Sequence, residues 1–198
     1  MSQAIIELNC PGCGARVSTS QKTCDWCHNP IIISTFNTIS AKSPLELNKM
    51  AGAYRKALAE NPDNKDLNTS IAMCYLKLKM YDNAIAAFAK AVEDNFDNSE
   101  TFFYGAIAMM KGKKPFLLMR PDINKIEEYI NAAIMIEPRG IYYYLLAYIK
   151  YDYYSRKFFK TSPTYQEALS FANQAGYSEY DVQQLFALLG TEKPTQLN

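Results

Sequence analysis

With 198 residues, 48% of them hydrophobic, the chain is long enough to bury a substantial core and predicts one domain with a small appendage. Its 21 Lys and Arg nearly balance 20 Asp and Glu, so bulk charge favours neither nucleic acid nor a membrane surface as a partner. The N-terminus lacks a basic and apolar leader pattern, and no apolar run approaches the roughly 18 residues that span a bilayer, so we expect a cytoplasmic protein with no membrane partner.

Four of the five cysteines are clustered in the pattern C-x2-C-x10-C-x2-C, at Cys10, Cys13, Cys24 and Cys27. Two such pairs suit a tetrahedral zinc site, in which each tight turn directs two sulfurs at the metal. Gly12 and Gly14 fit these turns because glycine tolerates a positive φ. Residues 5–8, 16–18 and 31–35 are typical of short strands. The stretch resembles a zinc ribbon over roughly residues 4–35, and we assign residues 1–36 to this domain.

A ribbon of this size has little core, so the metal is expected to supply folding energy, on the order of 10 kcal/mol. Four cysteines fill the tetrahedron, which predicts one structural Zn²⁺ rather than a catalytic one. Arg16 and Lys22 are positioned to offset part of the thiolate charge. His28 is a possible substitute ligand, although a polar residue beside the turn is the simpler interpretation, and we expect Trp26 to pack within the ribbon. Two disulfides or a redox C-x-x-C remain alternatives that would need a secretion signal or a βαβ context.

Residues 37–44 are predicted to be a short polar linker across which ribbon and helices fold independently. Ser43 and Pro44 then predict a helix start, with Glu46 in its first turn. The helix ends at Pro62, and its spacing suits the second helix of a hairpin repeat that has lost its first. We expect the ribbon to cover the end left exposed by that missing helix.

Residues 65–98 form one complete helical-hairpin repeat. Large apolar, small and aromatic residues recur at the repeat positions 7, 8, 11, 20, 24 and 27, as Ile71, Ala72, Tyr75, Ala84, Phe88 and Ala91. Two antiparallel helices approach closely only where side chains are small, which explains the alanines. The pattern resembles the tetratricopeptide (TPR) repeat, with departures at Asn68 and Phe96. This resemblance implies an all-α solenoid over residues 45–190 that acts as a binding scaffold.

A second repeat is predicted from Ser99 to Pro138, with an insertion of about eight residues at 113–120. Its apolar side chains, Phe116, Leu117, Leu118 and Met119, either fold back onto the helices or contact a partner. A third hairpin covers residues 141–176, but its register is open because either Ala147 or Tyr148 suits the small position. Its second helix is expected to bury Ala168, Ala172 and Ala175 and to end at Gly176. An amphipathic final helix and a disordered tail at 191–198 complete the chain.

Two surfaces are predicted for partners. By analogy with TPR arrays, the first helix of each hairpin lines a concave groove, here with Thr69, Met73, Leu76, Phe103, Ile107 and Met110. This mostly apolar groove would be filled by a protein partner, by a second copy of the chain or by the chain's own loop from Phe116 to Met119, and the first two are favoured. Two basic clusters at equivalent turns are expected to be neighbours and to form a rim for an acidic segment, with Lys111, Lys113, Lys114, Arg120, Lys150, Arg156, Lys157 and Lys160.

The sequence has no nucleophile–base pair and no glycine-rich phosphate loop, so enzyme activity is not expected. The favoured function is an adaptor or scaffold within a larger assembly. A first alternative is a nucleic-acid-associated factor, because basic and aromatic residues interleave at 155–160. A second alternative is a redox or zinc sensor that releases its metal when the thiolates oxidise.

Overall fold

The computed structural model describes residues 5–33, 35–93 and 96–197, apart from the side chain of Phe36. It divides into two compact units, Met1–Asn95 and Phe96–Asn198. Both units are built from helical hairpins, and the described residues of the first also contain one two-stranded sheet. The predicted fold class, all-α with a small N-terminal β-hairpin, is confirmed.

The N-terminal unit begins with a β-hairpin and continues with three helices. Strand β1 (Glu7–Asn9) pairs antiparallel with β2 (Arg16–Ser18), so that Leu8 lies opposite Val17 and both are buried. Helices α1 (Pro44–Glu60), α2 (Lys65–Lys77) and α3 (Tyr81–Val92) follow, and α2 packs against both of the others.

The helix starts follow the local sequence. Ser43 and Glu46 form a capping box, because the Glu46 amide donates to Ser43 Oγ while the Ser43 amide donates to Glu46 Oε2 at 2.9 Å. Asn64 caps α2 by accepting from the amide of Leu67 at 2.9 Å. Asn68 donates to the carbonyls of Pro62 (2.8 Å) and Asn64 (2.9 Å). It therefore ties down the turn before α2, which explains why it stands where the repeat usually has a large apolar residue.

The contact between α2 and α3 is made where side chains are small. Ala72 on α2 and Ala84 and Ala91 on α3 have no exposed surface, and Phe88 is buried beside them. Because methyl groups allow the two backbones to approach closely, larger residues at these positions would push the helices apart. All six residues that carry the repeat pattern are buried, as predicted.

The ribbon packs directly on the helices. Tyr54 Oη of α1 donates to the carbonyl of Ile31 at 2.8 Å, and the amide of Ile33 donates to Ser70 Oγ of α2 at 2.9 Å. Further along, Lys77 Nζ donates to the carbonyl of Ser40 at 2.8 Å. Three isoleucines between the ribbon and α1 are completely buried, namely Ile31, Ile33 and Ile39. Part of the segment predicted to be a linker, at Ile39 and Ser40, is therefore packed on the helices. These contacts favour coupled folding of ribbon and helices over the predicted independence, which stays to be measured.

The secondary structure of this segment also differs from the prediction. Residues 31–33 do not form a strand. The turn that carries the second cysteine pair is flanked instead by an isolated antiparallel β-bridge between Thr23 and Pro30. Residues Phe36–Ile39 form a 3-10 turn instead of an extended linker. Ser34 lies outside the described residues.

The C-terminal unit contains two helical hairpins and a final helix. Helix α4 (Ser99–Met109) pairs with α5 (Arg120–Ile136), and α6 (Gly140–Ile149) pairs with α7 (Tyr165–Ala175). Helix α8 (Glu179–Leu189) packs on α6 through its predicted apolar face, with Val182, Leu185, Phe186 and Leu189 buried.

The structure fixes the register of the third hairpin. A Cβ on Gly140 would lie 2.2 Å from the carbonyl oxygen of Gly176, so the start of α6 touches the end of α7. Tyr148 faces the other way, with its ring 5.1 Å from Phe186 of α8. Ala147, seven residues after Gly140 and therefore on the same face, takes the small position against α7. Ala168 and Ala172 of α7 are buried as predicted, whereas Ala175 is exposed.

The segment that follows α6 and the C-terminal tail differ from the prediction. After α6 the chain continues as a π-helical turn at Lys150–Tyr154 and a 3-10 turn at Ser155–Lys157. The tail was expected to be disordered, but up to residue 197 it is packed. Tyr144 Oη donates to the carbonyl of Leu197 at 2.8 Å, and the Leu197 side chain is buried.

Candidate metal centre and interaction surfaces

The four clustered cysteines form a compact sulfur site. Their Sγ atoms all lie within 4.8 Å of one another, and two pairs are closer, Cys10 to Cys27 at 3.6 Å and Cys13 to Cys24 at 3.7 Å. A tetrahedral metal with bonds of about 2.3 Å to sulfur would place its ligands about 3.8 Å apart. The donor atoms and their spacing therefore fit a closed four-sulfur metal site.

The two C-x-x-C turns have the same backbone hydrogen bonds. In the first turn, Cys10 N donates to the carbonyl of Ala15 at 2.7 Å, and Gly14 N donates to the carbonyl of Cys10 at 2.9 Å. In the second turn, Cys24 N donates to the carbonyl of Asn29 at 2.9 Å, and His28 N donates to the carbonyl of Cys24 at 2.8 Å. Equivalent residues, Gly14 and His28, have φ values of +91° and +56°. His28 is thus exposed at the left-handed position of its turn and is not among the residues that converge on the site.

Hydrogen-bond donors around the sulfurs favour thiolates. The amide of Gly12 lies 3.4 Å from Cys10 Sγ, and Asn29 Nδ2 lies 3.5 Å from Cys27 Sγ. The backbone N–H of Asn29 is the main reason why the pKa of Cys27 is lowered to about 6. The backbone N–H of Ala15 also lowers the pKa of Cys13, but desolvation and the other three sulfurs outweigh it and raise that pKa to about 11. Four thiolates this close need a cation between them.

Asn29 connects the sulfur site to α1. Besides donating to Cys27 Sγ, it accepts from Lys42 Nζ at 3.1 Å, and Lys42 lies 3.3 Å from Glu46 of the α1 capping box. Sequence reasoning missed this link, since Arg16 was expected to supply positive charge, and Arg16 instead pairs with Glu7 at 3.5 Å on the surface. Outer contacts of this kind orient metal ligands.

Two further residues, Trp26 and Cys74, have roles different from those of the four clustered cysteines. Trp26 was expected to pack inside the ribbon, but it is 79% exposed. Cys74, the fifth cysteine, is buried in α2, where desolvation raises the pKa of its thiol to about 12. It is therefore an apolar core residue rather than a ligand.

Comparison with known proteins bears on the helices. Residues 51–101, which cover α2 and α3, match the family model of the tetratricopeptide repeat. This stretch therefore carries a TPR repeat. A solved structure described as "MamA MSR-1 C2" is similar over 70% of this chain and 68% of its own, with 18% identity and a TM-score of 0.48. The search of curated proteins gave no match. Among the described residues, no helix has the length and apolar content to cross a membrane.

The residues predicted to line an open TPR groove are buried. Thr69, Met73 and Leu76 on α2 are at most 5% exposed, and the same holds for Phe103, Ile107 and Met110 in the second unit. Ile33 and Ser40 bond to the neighbouring α2 residues Ser70 and Lys77, and the Phe103 ring lies 4.6 Å from that of Tyr142. Binding at these six residues stays a prediction, although they offer no open surface here.

The two basic clusters are neighbours, as expected, but they are not a simple solvated rim. The Arg156 guanidinium lies 4.5 Å and Lys157 Nζ 5.0 Å from the ring of Phe116 in the insertion. The Phe116 amide donates to Asp152 Oδ2 at 2.8 Å, and Asp152 also pairs with Arg156. These contacts hold the insertion at residues 113–120 against the end of α6. Binding of an acidic segment at this rim stays a prediction.

Lys150 does not belong to the exposed rim. It is 5% exposed, with Nζ 3.0 Å from Glu127 Oε1, 2.8 Å from Thr161 Oγ1 and 4.6 Å from the centre of the Tyr154 ring. The guanidinium of Arg120 also lies 4.8 Å from the centre of the Tyr154 ring. A buried lysine needs such partners, so Lys150 joins α5 to the π-helical turn. The seven other basic residues of the predicted rim are exposed or half-buried, namely Lys111, Lys113, Lys114, Arg120, Arg156, Lys157 and Lys160.

One concave surface was not found by sequence reasoning. A depression of about 890 Å³ lies along α8, between Val182, Phe186 and Ala187 on one side and Lys114 on the other. Its edge carries charges of both signs, including the pair of Lys193 and Glu179 at 3.4 Å. The signal available in the sequence was the spacing of small and apolar residues on α8, but this pattern does not distinguish packing from an open face.

Proposed function

We propose that the chain is a non-enzymatic adaptor that binds other proteins and whose N-terminal unit is stabilised by one Zn²⁺. The TPR at residues 51–101 supports this proposal most strongly, because repeats of this type present extended binding surfaces. Such an adaptor acts as a subunit of a larger assembly. A closed four-sulfur site supports a structural role for the metal, since it leaves no coordination position for a substrate.

Zinc is the proposed metal because four thiolates in a tetrahedron suit a soft or borderline cation. Iron is the main competitor for the same ligands, and its sulfur complexes absorb visible light whereas those of zinc do not. We expect elemental analysis of protein purified without chelator to give one zinc per chain and a colourless solution. One iron per chain would contradict the assignment. The proposal places the chain in the cytoplasm, where thiols remain reduced.

The depression along α8 is the proposed position of the partner. Its floor is apolar, from Val182 and Phe186, and its edge carries both lysine and glutamate, which suits a polypeptide segment better than a uniformly charged ligand. Ala187 is exposed inside it and can accept a longer side chain without disturbing the core of the unit.

The experiment is a comparison of two alanine substitutions. Ala187→Glu places a carboxylate in the depression, and Ala89→Glu makes the same change on the exposed side of α3. We expect Ala187→Glu to reduce capture of the principal partner from a native extract by about tenfold, because an apolar contact would have to accept a charge. Ala89→Glu should bind like the unchanged chain. If both variants capture the same proteins equally, the α8 depression is not the binding site.

A further inference from the structure

Two neighbouring segments of the C-terminal unit carry apolar side chains that point into solvent. In residues 113–120, Leu117 is 67% and Met119 72% exposed. In residues 155–160, Phe158 is 95% and Phe159 50% exposed. We call these two segments the basic–apolar edge. Single exposed apolar residues are common on proteins, but four of them on adjoining segments form a patch that calls for an explanation.

The edge is held together by its own contacts. Asp152 accepts from the Phe116 amide, and the Phe116 ring lies beneath the charged ends of Arg156 (4.5 Å) and Lys157 (5.0 Å). Lys157 also lies 4.0 Å from the centre of the Tyr153 ring. The insertion is therefore fixed next to the end of α6, and the exposed side chains of both segments belong to one surface rather than to two loose loops.

The backbone holds Phe158 outward. It has a φ of +58° and ψ of +29°, a left-handed conformation that a bulky side chain adopts at an energetic cost. Glycine usually occupies this position after a helix. A phenyl ring kept there, almost fully in water, is difficult to explain by folding alone, because glycine would relieve the strain and remove the exposed ring.

The charge of the edge is entirely positive. Each segment contains three Lys or Arg and no Asp or Glu, so the two together carry a formal charge of +6 in a chain whose net charge is +1. Asp152 neutralises Arg156, but Lys113 and Lys160 are exposed beside the apolar side chains. The near-neutral net charge, which argued against a membrane surface, therefore averages out a strong local excess of positive charge.

The geometry points to a negatively charged phospholipid surface as the partner, and we propose that the basic–apolar edge docks the C-terminal unit on such a surface. Side chains that protrude into solvent suit a soft apolar phase, whereas a protein partner would need a matching cavity for each. Leu117 and Met119 have no ring on which a nucleic-acid base could stack, which argues against single-stranded RNA or DNA. Cations around inserted apolar side chains are attracted to anionic headgroups.

A pocket beside the edge suits a headgroup. It has a volume of about 380 Å³ and is lined by Phe159 and Lys160 together with the hydroxyl residues Ser155 and Thr161. Lysine and hydroxyl groups are common donors to phosphate oxygens. The pocket opens next to Phe159, so a headgroup there would place its acyl chains near the exposed apolar residues.

The proposal is tested by sedimentation of the full chain with lipid vesicles. We expect binding to vesicles of phosphatidylcholine with about 30% phosphatidylserine, and at least about tenfold less binding to phosphatidylcholine alone. Binding should weaken as salt rises from about 0.1 M to about 0.5 M, because screening reduces the attraction between cations and headgroups. Equal binding to both vesicles, or to neither, would overturn the proposal.

Matched variants separate the apolar and basic contributions. Phe158→Ser with Met119→Ser removes two exposed apolar side chains of the edge, and Phe171→Ser with Met135→Ser removes the same residue types elsewhere in the unit.

Lys113→Glu with Lys160→Glu reverses two charges of the edge, and Lys49→Glu with Lys90→Glu makes the same change on the N-terminal helices. Each edge variant should bind anionic vesicles about tenfold more weakly, while its control stays within about twofold.

The remaining outcomes reject a lipid surface. If anionic vesicles do not compete but an acidic peptide or a single-stranded oligonucleotide binds and is lost in Lys113→Glu with Lys160→Glu, the edge recognises that ligand instead. If Phe158→Ser with Met119→Ser changes the mass measured by light scattering, the edge joins two copies of the chain. Neither result affects the metal site, and the α8 depression shares only Lys114 with the edge, a residue that none of these variants changes.

Discussion

Each unit covers the first helix of one of its hairpins, and the two units do so in different ways. In the N-terminal unit, Ile33 and Ser40 lie against α2, just after the two turns that carry the four clustered cysteines. In the C-terminal unit, α6 is covered by α8 and the tail, through Tyr144, Tyr148 and Phe186. Residues 5–33 have few apolar side chains to bury, so we propose that a metal bound by the four cysteines replaces the missing core, whereas the aromatic residues of α6 supply a core directly.

Removing a ligand should affect the first unit most. Cys24→Ser is expected to abolish zinc binding, on the order of 10 kcal/mol of metal-linked folding energy, and to expose the isoleucines that pack on α1 and α2. Hydrogen exchange should therefore become faster in residues 31–77, while α6 to α8 stay protected. Cys74→Ala is the matched control, because it removes a buried cysteine that is not a ligand and should keep one zinc per chain. Unchanged exchange in α1 and α2 after Cys24→Ser would show that the ribbon is separable after all.

A pair of glycine substitutions tests the second unit. Gly140→Ala places a methyl group 2.2 Å from the carbonyl of Gly176, so the contact of α6 with α7 must open, at a cost of about 2–3 kcal/mol. Gly52→Ala, inside α1, meets nothing within 4 Å and should stabilise its helix by up to about 1 kcal/mol. Urea denaturation of both variants measures the difference. If Gly140→Ala is as stable as the unchanged chain, the two helix ends are not in close contact.

The smallest effect is expected at the link between the metal site and α1. Asn29→Ala removes the side-chain donor to Cys27 Sγ and leaves Lys42 without one partner, but it keeps the backbone N–H of residue 29 and all four sulfurs. Zinc affinity should fall by about tenfold or somewhat more, as for other contacts around metal ligands. Competition with a calibrated chelator measures this change. Asn48→Ala, which alters a surface hydrogen bond within α1, serves as the control and should leave zinc affinity unchanged.

Sequence reasoning was accurate where a short segment carries its own constraint. The helix starting at Pro44, the small positions Ala84 and Ala91, and the left-handed Gly176 all appear as predicted. It failed for Trp26 and for the tail at Leu197, where the outcome depends on distant surfaces. It also did not show that the six predicted groove residues are buried, because a position in a repeat indicates a direction around the helix but not what lies against it.

The sequence by itself determined the cluster of four cysteines, the helical hairpins and the final amphipathic helix, because cysteine spacing, capping residues and the pattern of small side chains act over a few residues. Only the tertiary structure decided that the ribbon packs on α1 and α2, that Lys150 is buried against Glu127, and that the insertion meets the end of α6. These contacts join residues tens of positions apart, and each depends on the shape and charge that both surfaces acquire only when the chain has folded.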